Sequence, residues 1–316
     1  MSYLGIQTQV RKNNQRSVAL LILFPVIILA LTWLFFFVLG GVAASEYDTS
    51  MSVSGINQLF LEAAPWVFGA CLLWFLIAYL IHSSMITSAT HSHSLSRTEN
   101  KRVYNLVENL CMADGVPMPK LNVIEDDSIN AFASGINQKT YAVTLTRGAI
   151  DKLDDDELEG VIAHELTHIK NRDVRLLIVS IIFVGIFSFI ANVALRAVLH
   201  GGNRGGGKKG NGAIVMMVVV MVLAAIGYLI SMLLRFSISR KREFMADAGA
   251  VQMTKKPQAL ASALRKISGD SHVEAITRDD VAQLFIEHTS KKKKKNGSIF
   301  ATHPPIEQRI EILEQF

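Results

Sequence analysis

VIAHELTHIK, residues 161–170, followed by NRD at 171–173, is the stretch that decides the fold. The histidines His164 and His168 are four apart. On an α-helix, positions i and i+4 lie on one face a turn apart, so both imidazoles can reach one metal ion; on a strand they cannot. Glu165 then stands beside the remaining coordination position, placed to take a proton from a water whose pKa the metal has lowered. The local signals are helical. Asp154 with Glu157 forms a capping-box pattern, the run 154–157 is acidic as suits a helix N-terminus, and Leu158, Val161, Ile162 and Ile169 share an apolar face.

A third ligand is needed to turn this pair into a metal site. SRKREFMADAGA at 239–250 supplies it, with Glu243 and Asp247 again at i and i+4. This is gluzincin spacing. Glu243 completes a His, His, Glu set that leaves the fourth position of one Zn²⁺ per subunit for water. Asp247, one turn on, is placed to accept a hydrogen bond from the second ring nitrogen of a ligating histidine.

Taken together, these motifs resemble the HtpX-type membrane zinc metalloproteases of bacteria, distantly related to the CAAX prenyl proteases. The resemblance rests on NAFASG at 130–135, HELTHIKNRD at 164–173, SRKREFMADAG at 239–249 and THPPIEQRIE at 302–311, in that order, and so covers most of the chain. It implies an endopeptidase that hydrolyses misfolded or damaged membrane proteins in quality control and the stress response, and that cleaves itself during purification. In the family, the NAFA region forms the upper rim of the cleft. Asn130, Ala131, Phe132 and Ala133 are therefore expected substrate contacts, on an exposed strand edge that binds an extended chain through backbone hydrogen bonds.

His303 is a further catalytic candidate, because peptide hydrolysis develops negative charge on the carbonyl oxygen and an imidazole can donate to it. Arg309, one turn into the next helix, is read as structural, pairing with a carboxylate such as Asp173. His91 and His93 in HSHS lack a matching cluster and read as a solvated linker. The five lysines at 291–295 read as a cytoplasmic loop, able to lie near anionic headgroups. Cys71 and Cys111 suggest neither a disulfide nor metal ligation.

Composition points to a membrane. Half of the 316 residues are hydrophobic. They cluster in four blocks, at 18–39, 63–81, 176–195 and 213–234, each about long enough to cross a hydrocarbon core of roughly 30 Å. The first block follows a polar stretch and has no convincing cleavage site, so it reads as a retained anchor and not a signal peptide. The net charge of +5 is accounted for by membrane-flanking basic residues, and no nucleic-acid motif is present.

Arg11, Lys12 and Arg16 precede the first block, whereas the loop 45–62 carries acidic residues and no Lys or Arg. That asymmetry places the loop outside and the catalytic segments in the cytoplasm of a multi-pass protein, and the resemblance implies that the membrane is the bacterial inner membrane. The loop between the third and fourth blocks contains Arg204, Lys208 and Lys209, which opposes a full crossing there. Glu243 must nevertheless return to the side that holds His164 and His168.

The expected architecture is α+β and mainly helical: an integral membrane protein with a zincin-like (gluzincin) catalytic domain. Residues 1–95 form an anchor of two transmembrane helices. Residues 96–175 and 235–316 form the cytoplasmic metalloprotease domain, and 176–234 is an inserted hairpin of two hydrophobic helices. Within the domain, a helix is expected at 100–112, strands at 121–124 and 141–145, and helices near 257–268, 279–289 and 305–316. Expected partners are the lipid bilayer and unfolded or misfolded membrane-protein substrates, with no nucleic acid. Two other readings share parts of the pattern. An intramembrane site-2-type protease needs its motif inside an apolar span, but Lys170, Asn171, Arg172 and Asp173 follow the histidines directly. A membrane holdase or scaffold with structural zinc has no use for Glu165.

Overall fold

The computed structural model describes residues 6–47, 52–201, 218–229, 241–270, 273, 285–286 and 304–316. It is mainly helical, with one small sheet. The chain divides into two compact units. One is drawn from Met1–Arg16, Ile81–Ile178 and Phe236–Phe316, the other from Ser17–Leu80 and Val179–Arg235.

The first unit carries the sheet and the HELTH helix. Strands β1 (His93–Ser94), β2 (Lys120–Ile124), β3 (Ala131–Ser134) and β4 (Ala142–Thr146) lie in the order β1-β2-β4-β3. β2 and β4 run parallel, with Leu121 opposite Val143 and Val123 opposite Leu145. β3 returns antiparallel along β4, with Ala131 opposite Leu145 and Ala133 opposite Val143, which makes it an edge strand. Every residue of β3 and β4 is buried, including Thr144 and Thr146, which alternate with Val143 and Leu145 along β4. Gly135 ends β3 at φ +109, where a Cβ would sit 2.4 Å from the Thr140 carbonyl oxygen; only glycine fits.

Helices cover this sheet. α3 (Lys101–Asp114) starts at Asn100, whose side chain accepts from the Val103 N–H, and stops at Gly115 in the left-handed region at φ 67. It runs two residues beyond the expected end at 112. The short α4 (Arg147–Lys152) leads into α5 (Asp155–Lys170), which holds the histidines. α8 (Lys241–Thr254) and α9 (Pro257–Gly269) pack on it, and α10 (Ile306–Leu313) packs on α9 and α8. The core is apolar, centred on Leu158, Ile162, Leu166, Leu260 and Leu264.

The second unit takes most of α1 (Ile6–Tyr47) and α2 (Val53–Thr90), part of α6 (Asp173–Gly201), and α7 (Val218–Leu229). Phe24 stacks on Phe183 with ring centroids 4.1 Å apart, and Ile28, Cys71, Val179, Ile186 and Phe187 complete a small core. Val10–Gly41 and Val53–Thr90 are long and apolar enough to cross a membrane. They leave large apolar side chains such as Ile22, Trp66, Leu73 and Leu80 exposed, as lipid-facing helices do and the core helix of a soluble protein does not.

Some expectations change. His93 and Ser94 of the HSHS segment are not linker but a short exposed strand on β2, and His93 Nε2 lies 3.5 Å from the Glu125 carboxylate. The third apolar block does lie within a helix, α6, and the described part of the fourth, Val218–Leu229, is helical as α7. The loop between them, the lysine run and His303 lie outside the described residues, as does the helix expected at 279–289 apart from Phe285 and Ile286.

Candidate metal centre

α5 begins as its sequence dictates. The Asp154 carboxylate accepts from the Glu157 N–H at 2.9 Å, and Glu157 Oε2 accepts from the Asp154 N–H at 3.0 Å, closing the capping box. Glu157 also takes hydrogen bonds from Ser262 Oγ at 2.7 Å and Lys266 Nζ at 2.6 Å, pinning the start of α5 to α9. Burial alone would raise the Glu157 carboxyl, but these donors and the Asp154 N–H hold it below the usual carboxylate range.

Two turns on, His164 and His168 face each other with their Nε2 atoms 3.2 Å apart. α8 brings Glu243 opposite them. Its Oε2 lies 3.6 Å from His164 Nε2 and its Oε1 3.7 Å from His168 Nε2. In a tetrahedral zinc site with metal–nitrogen bonds near 2.0–2.1 Å, donor atoms sit about 3.3 Å apart. The three side chains come near that spacing, with Glu243 turning a different oxygen to each imidazole, and one ligand atom from each falls within 4.8 Å of the others. Two imidazoles and one carboxylate, largely withdrawn from solvent, make a donor set that suits zinc.

The far side of each imidazole is held as well. His164 Nδ1 lies 2.9 Å from Asp247 Oδ1, and His168 Nδ1 lies 3.1 Å from Asp173 Oδ2. Each carboxylate accepts a hydrogen bond from its histidine's Nδ1–H, which turns the two Nε2 atoms to the metal position. Burial works to lower both imidazoles, yet both end above the ordinary histidine value. His164 is raised by its hydrogen bonds to Asp247 and Glu243, and His168, beside the Glu243 and Asp173 carboxylates, is raised to about 10. Asp247 is the residue expected from its place on the helix. The sequence suggests Asp173 only as a partner for Arg309, and nothing in its local sequence marks it as the support of His168.

Arg309 pairs with Asp247, not Asp173. Its Nε donates to Asp247 Oδ2 at 2.9 Å and its Nη2 to Oδ1 at 2.7 Å. The guanidinium is fully buried, 3.4 Å from His164 Nε2 through Nη2 and 3.7 Å from Glu243 Oε2 through Nη1. Burial alone would raise the Asp247 carboxyl, but Arg309 and His164 hold it low, so it stays an anion.

Glu165 is buried beside the same cluster, and burial pushes its carboxyl up, opposed by the neighbouring histidines. The backbone of Ala133 donates a hydrogen bond to it, so β3 runs along the general-base candidate. Along that edge, the Ala131 carbonyl accepts from the Ile286 N–H at 3.1 Å. Asn130 is buried, its Oδ1 accepting from the Ala131 N–H at 3.0 Å. Phe132 is fully buried and packs on Phe285 with ring centroids 4.8 Å apart, and Ala131 and Ala133 are buried with it, so β3 is a covered strand and not the exposed edge expected from the sequence. Cys71 and Cys111 are free thiols, and burial pushes Cys111 up to about 11.

The close approach of α5 and α8 depends on Gly249, where a Cβ would meet Thr167 Cγ2 at 2.4 Å and Oγ1 at 2.7 Å. Without a side chain there, α8 lies against α5 and carries Glu243 and Asp247 to the histidines.

The sequence profile of Peptidase family M48 matches residues 97–316. The chain is 58% identical over 322 residues to the Protease HtpX homolog of Bacteroides fragilis, with all of both chains covered. It is 41% identical over 268 residues to the Protease HtpX homolog of Listeria monocytogenes, covering 82% of this chain and 86% of that protein. Over 316 residues it is 33% identical to the Protease HtpX homolog of Lactobacillus acidophilus, covering 97% and 98%. Among solved structures, the crystal structure of S. mikatae Ste24p aligns with a TM-score of 0.45 and 16% identity, over 94% of this chain and 66% of that one.

Proposed function

The chain belongs to Peptidase family M48 as an HtpX-type metalloendopeptidase, and on that premise we propose that it is a zinc-dependent protease of the bacterial inner membrane acting on misfolded or damaged membrane proteins. The observation that carries the zinc reading is the His164, His168 and Glu243 cluster, spaced as a tetrahedral site requires. When bound, a zinc ion supplies polarisation of the scissile carbonyl and a lowered pKa for the attacking water. Glu165 takes the proton from that water and passes it to the leaving amine. Its place beside both histidines, with the Ala133 N–H donating to it, suits both steps. Asp247 and Asp173 hold the imidazoles, and β3, an edge strand beside Glu165, is the strand that an extended peptide would join by backbone hydrogen bonds after displacing those that Ala131 makes to Ile286 and Asn130. Reading a substrate through backbone groups is compatible with clients that share no sequence, which is what quality control demands.

The orientation proposed is with the catalytic segments in the cytoplasm, supported by the basic residues that flank the first apolar run. On this account Ser290→Cys, in a background lacking Cys71 and Cys111, reacts with an impermeant thiol reagent only after lysis. The function is tested by purifying the full chain in detergent without chelator and incubating it with an unfolded membrane protein. The expected result is fragmentation of that protein, and of the chain itself, stopped by chelator and restored by zinc. An intact substrate in the presence of stoichiometrically zinc-loaded protein would overturn the reading.

A further inference from the structure

Asn13 lies on the polar first turns of α1, ahead of the apolar run, yet its side chain is fully buried. The Asn13 amide nitrogen donates twice. One hydrogen bond goes to Asp173 Oδ1 at 2.7 Å and the other to the Asn171 carbonyl at 2.9 Å. Both acceptors lie in the turn that closes α5 and opens α6: Asn171 caps α5 and Asp173 is the first residue of α6. Asp173 uses its other oxygen, Oδ2, for His168 Nδ1. The chain of contacts therefore runs from Asn13 through Asp173 to His168, and from His168 Nε2 to the metal position.

The turn itself needs holding. Arg172, between the two acceptors, adopts φ 60, in the left-handed region that non-glycine residues rarely occupy. Asn14 grips it, its Oδ1 accepting from Arg172 Nη1 at 2.9 Å. Asp173 is thus set by a strained turn and pinned by the amide of Asn13. An imidazole points its Nε2 lone pair at a metal only as well as the acceptor behind Nδ1 is fixed.

We propose that Asn13 is a positioning residue of the metal centre, acting on His168 through Asp173, so that the polar lead-in to the first apolar helix is part of the site. The inference rests on the zinc reading given above. A buried asparagine that merely glued two helices together would have no reason to meet the very carboxylate that orients a ligand. Its amide could have been spent on backbone carbonyls alone.

The test uses the full chain in detergent, in a Glu165→Gln background to prevent self-cleavage. Asn13→Ala removes both hydrogen bonds, and Asn13→Leu does so while keeping the branched outline of the side chain, so that no cavity is left between the helices. Zinc affinity is measured by competition with a chromogenic chelator, and ligand geometry by the visible absorption of the cobalt-substituted protein. Both variants are expected to bind zinc about 10-fold more weakly, the lower end for outer partners of metal ligands, and to shift the cobalt bands. In an Asp173→Ala background the Asn13 substitutions should cost nothing further, because their path is already cut. Zinc affinity and cobalt spectrum unchanged from the parent, whatever happens to thermal stability, would overturn the proposal. So would an undiminished loss in the Asp173→Ala background. A parent protein that binds neither zinc nor cobalt would instead overturn the zinc reading itself.

Discussion

Arg309 meets Asp247 as a buried fork, with hydrogen bonds of 2.9 and 2.7 Å to the two carboxylate oxygens. The relationship joins α10 to α8 and, because Asp247 also lies 2.9 Å from His164 Nδ1, it joins the C-terminal helix to the metal centre. Removing one member of a buried ion pair strands the other, at a cost of about 3–5 kcal/mol. Arg309→Met should therefore lower thermal stability by that amount and loosen zinc binding. Arg309→Lys, unable to reproduce the planar fork, should fall between it and the parent. Asp247→Asn should weaken zinc retention by about 10 to 100-fold without abolishing it. Calorimetry and metal analysis on the purified variants check all three. Unchanged stability and zinc content in Arg309→Met would show that the fork contributes nothing.

Gly249 offers a test of how closely α5 and α8 must pack. Alanine in mid-helix gains about 1 kcal/mol over glycine from backbone propensity. Here the added Cβ would lie 2.4 Å from the Thr167 methyl, and Thr167 is doubly restrained: it is β-branched, and its Oγ1 donates to the Ala163 carbonyl at 2.8 Å. Overpacking costs about 1–3 kcal/mol, so it should win. The measurement is the melting temperature of Gly249→Ala against its parent. A net fall is expected, partly reversed by adding Thr167→Ser, which removes the offending methyl. A rise would mean that α8 can move away at no cost.

Glu157 makes stability depend on pH in a definite direction. Its carboxyl is held low in the folded protein by Lys266, Ser262 and the Asp154 N–H. A group whose folded pKa is depressed contributes stability that is fully present above its unfolded value, about 4.3, and is lost as pH falls through the folded value. Glu157→Gln should thus destabilise by about 1 kcal/mol near neutrality, the partner Lys266 being partly solvated. Melting curves of the two proteins should converge as pH falls below about 4. A gap that did not narrow at all as pH fell below about 4 would mean that the charge on Glu157 is not what holds α5 to α9.

The difference between what could be read in the chain and what could not is physical. α5 was legible because a capping box and a 3.6-residue apolar period are local signals, and both are realised at Asp154 and Glu157. Glu243 and Asp247 were legible for the same reason, since one helix face holds both. β3 was found from the NAFASG segment, but the burial of Phe132 was not decidable, because its packing partner Phe285 lies far along the chain. Arg309 was expected near a carboxylate, and Asp173 was the wrong one: local periodicity does not specify which of two distant acids a guanidinium meets. The Asp173 contact to His168 depends on the left-handed conformation of Arg172, for which no glycine or asparagine stands as a signal. Asn13 reaches Asp173 across 160 residues, with no local pattern at either end.

The most direct test of the central claim is the zinc content of the purified protein set beside its turnover of an unfolded membrane protein, for the parent, Glu165→Gln, and the ligand variants His164→Ala, His168→Ala and Glu243→Ala. The account predicts a separation. Glu165→Gln keeps about one zinc per chain, because the amide preserves the shape of a side chain that does not ligate, yet loses hydrolysis by the 10²-fold or more expected for a missing general base. The three ligand variants lose zinc and hydrolysis together. Near-parent turnover by zinc-loaded Glu165→Gln, or full zinc occupancy in Glu243→Ala, would contradict it.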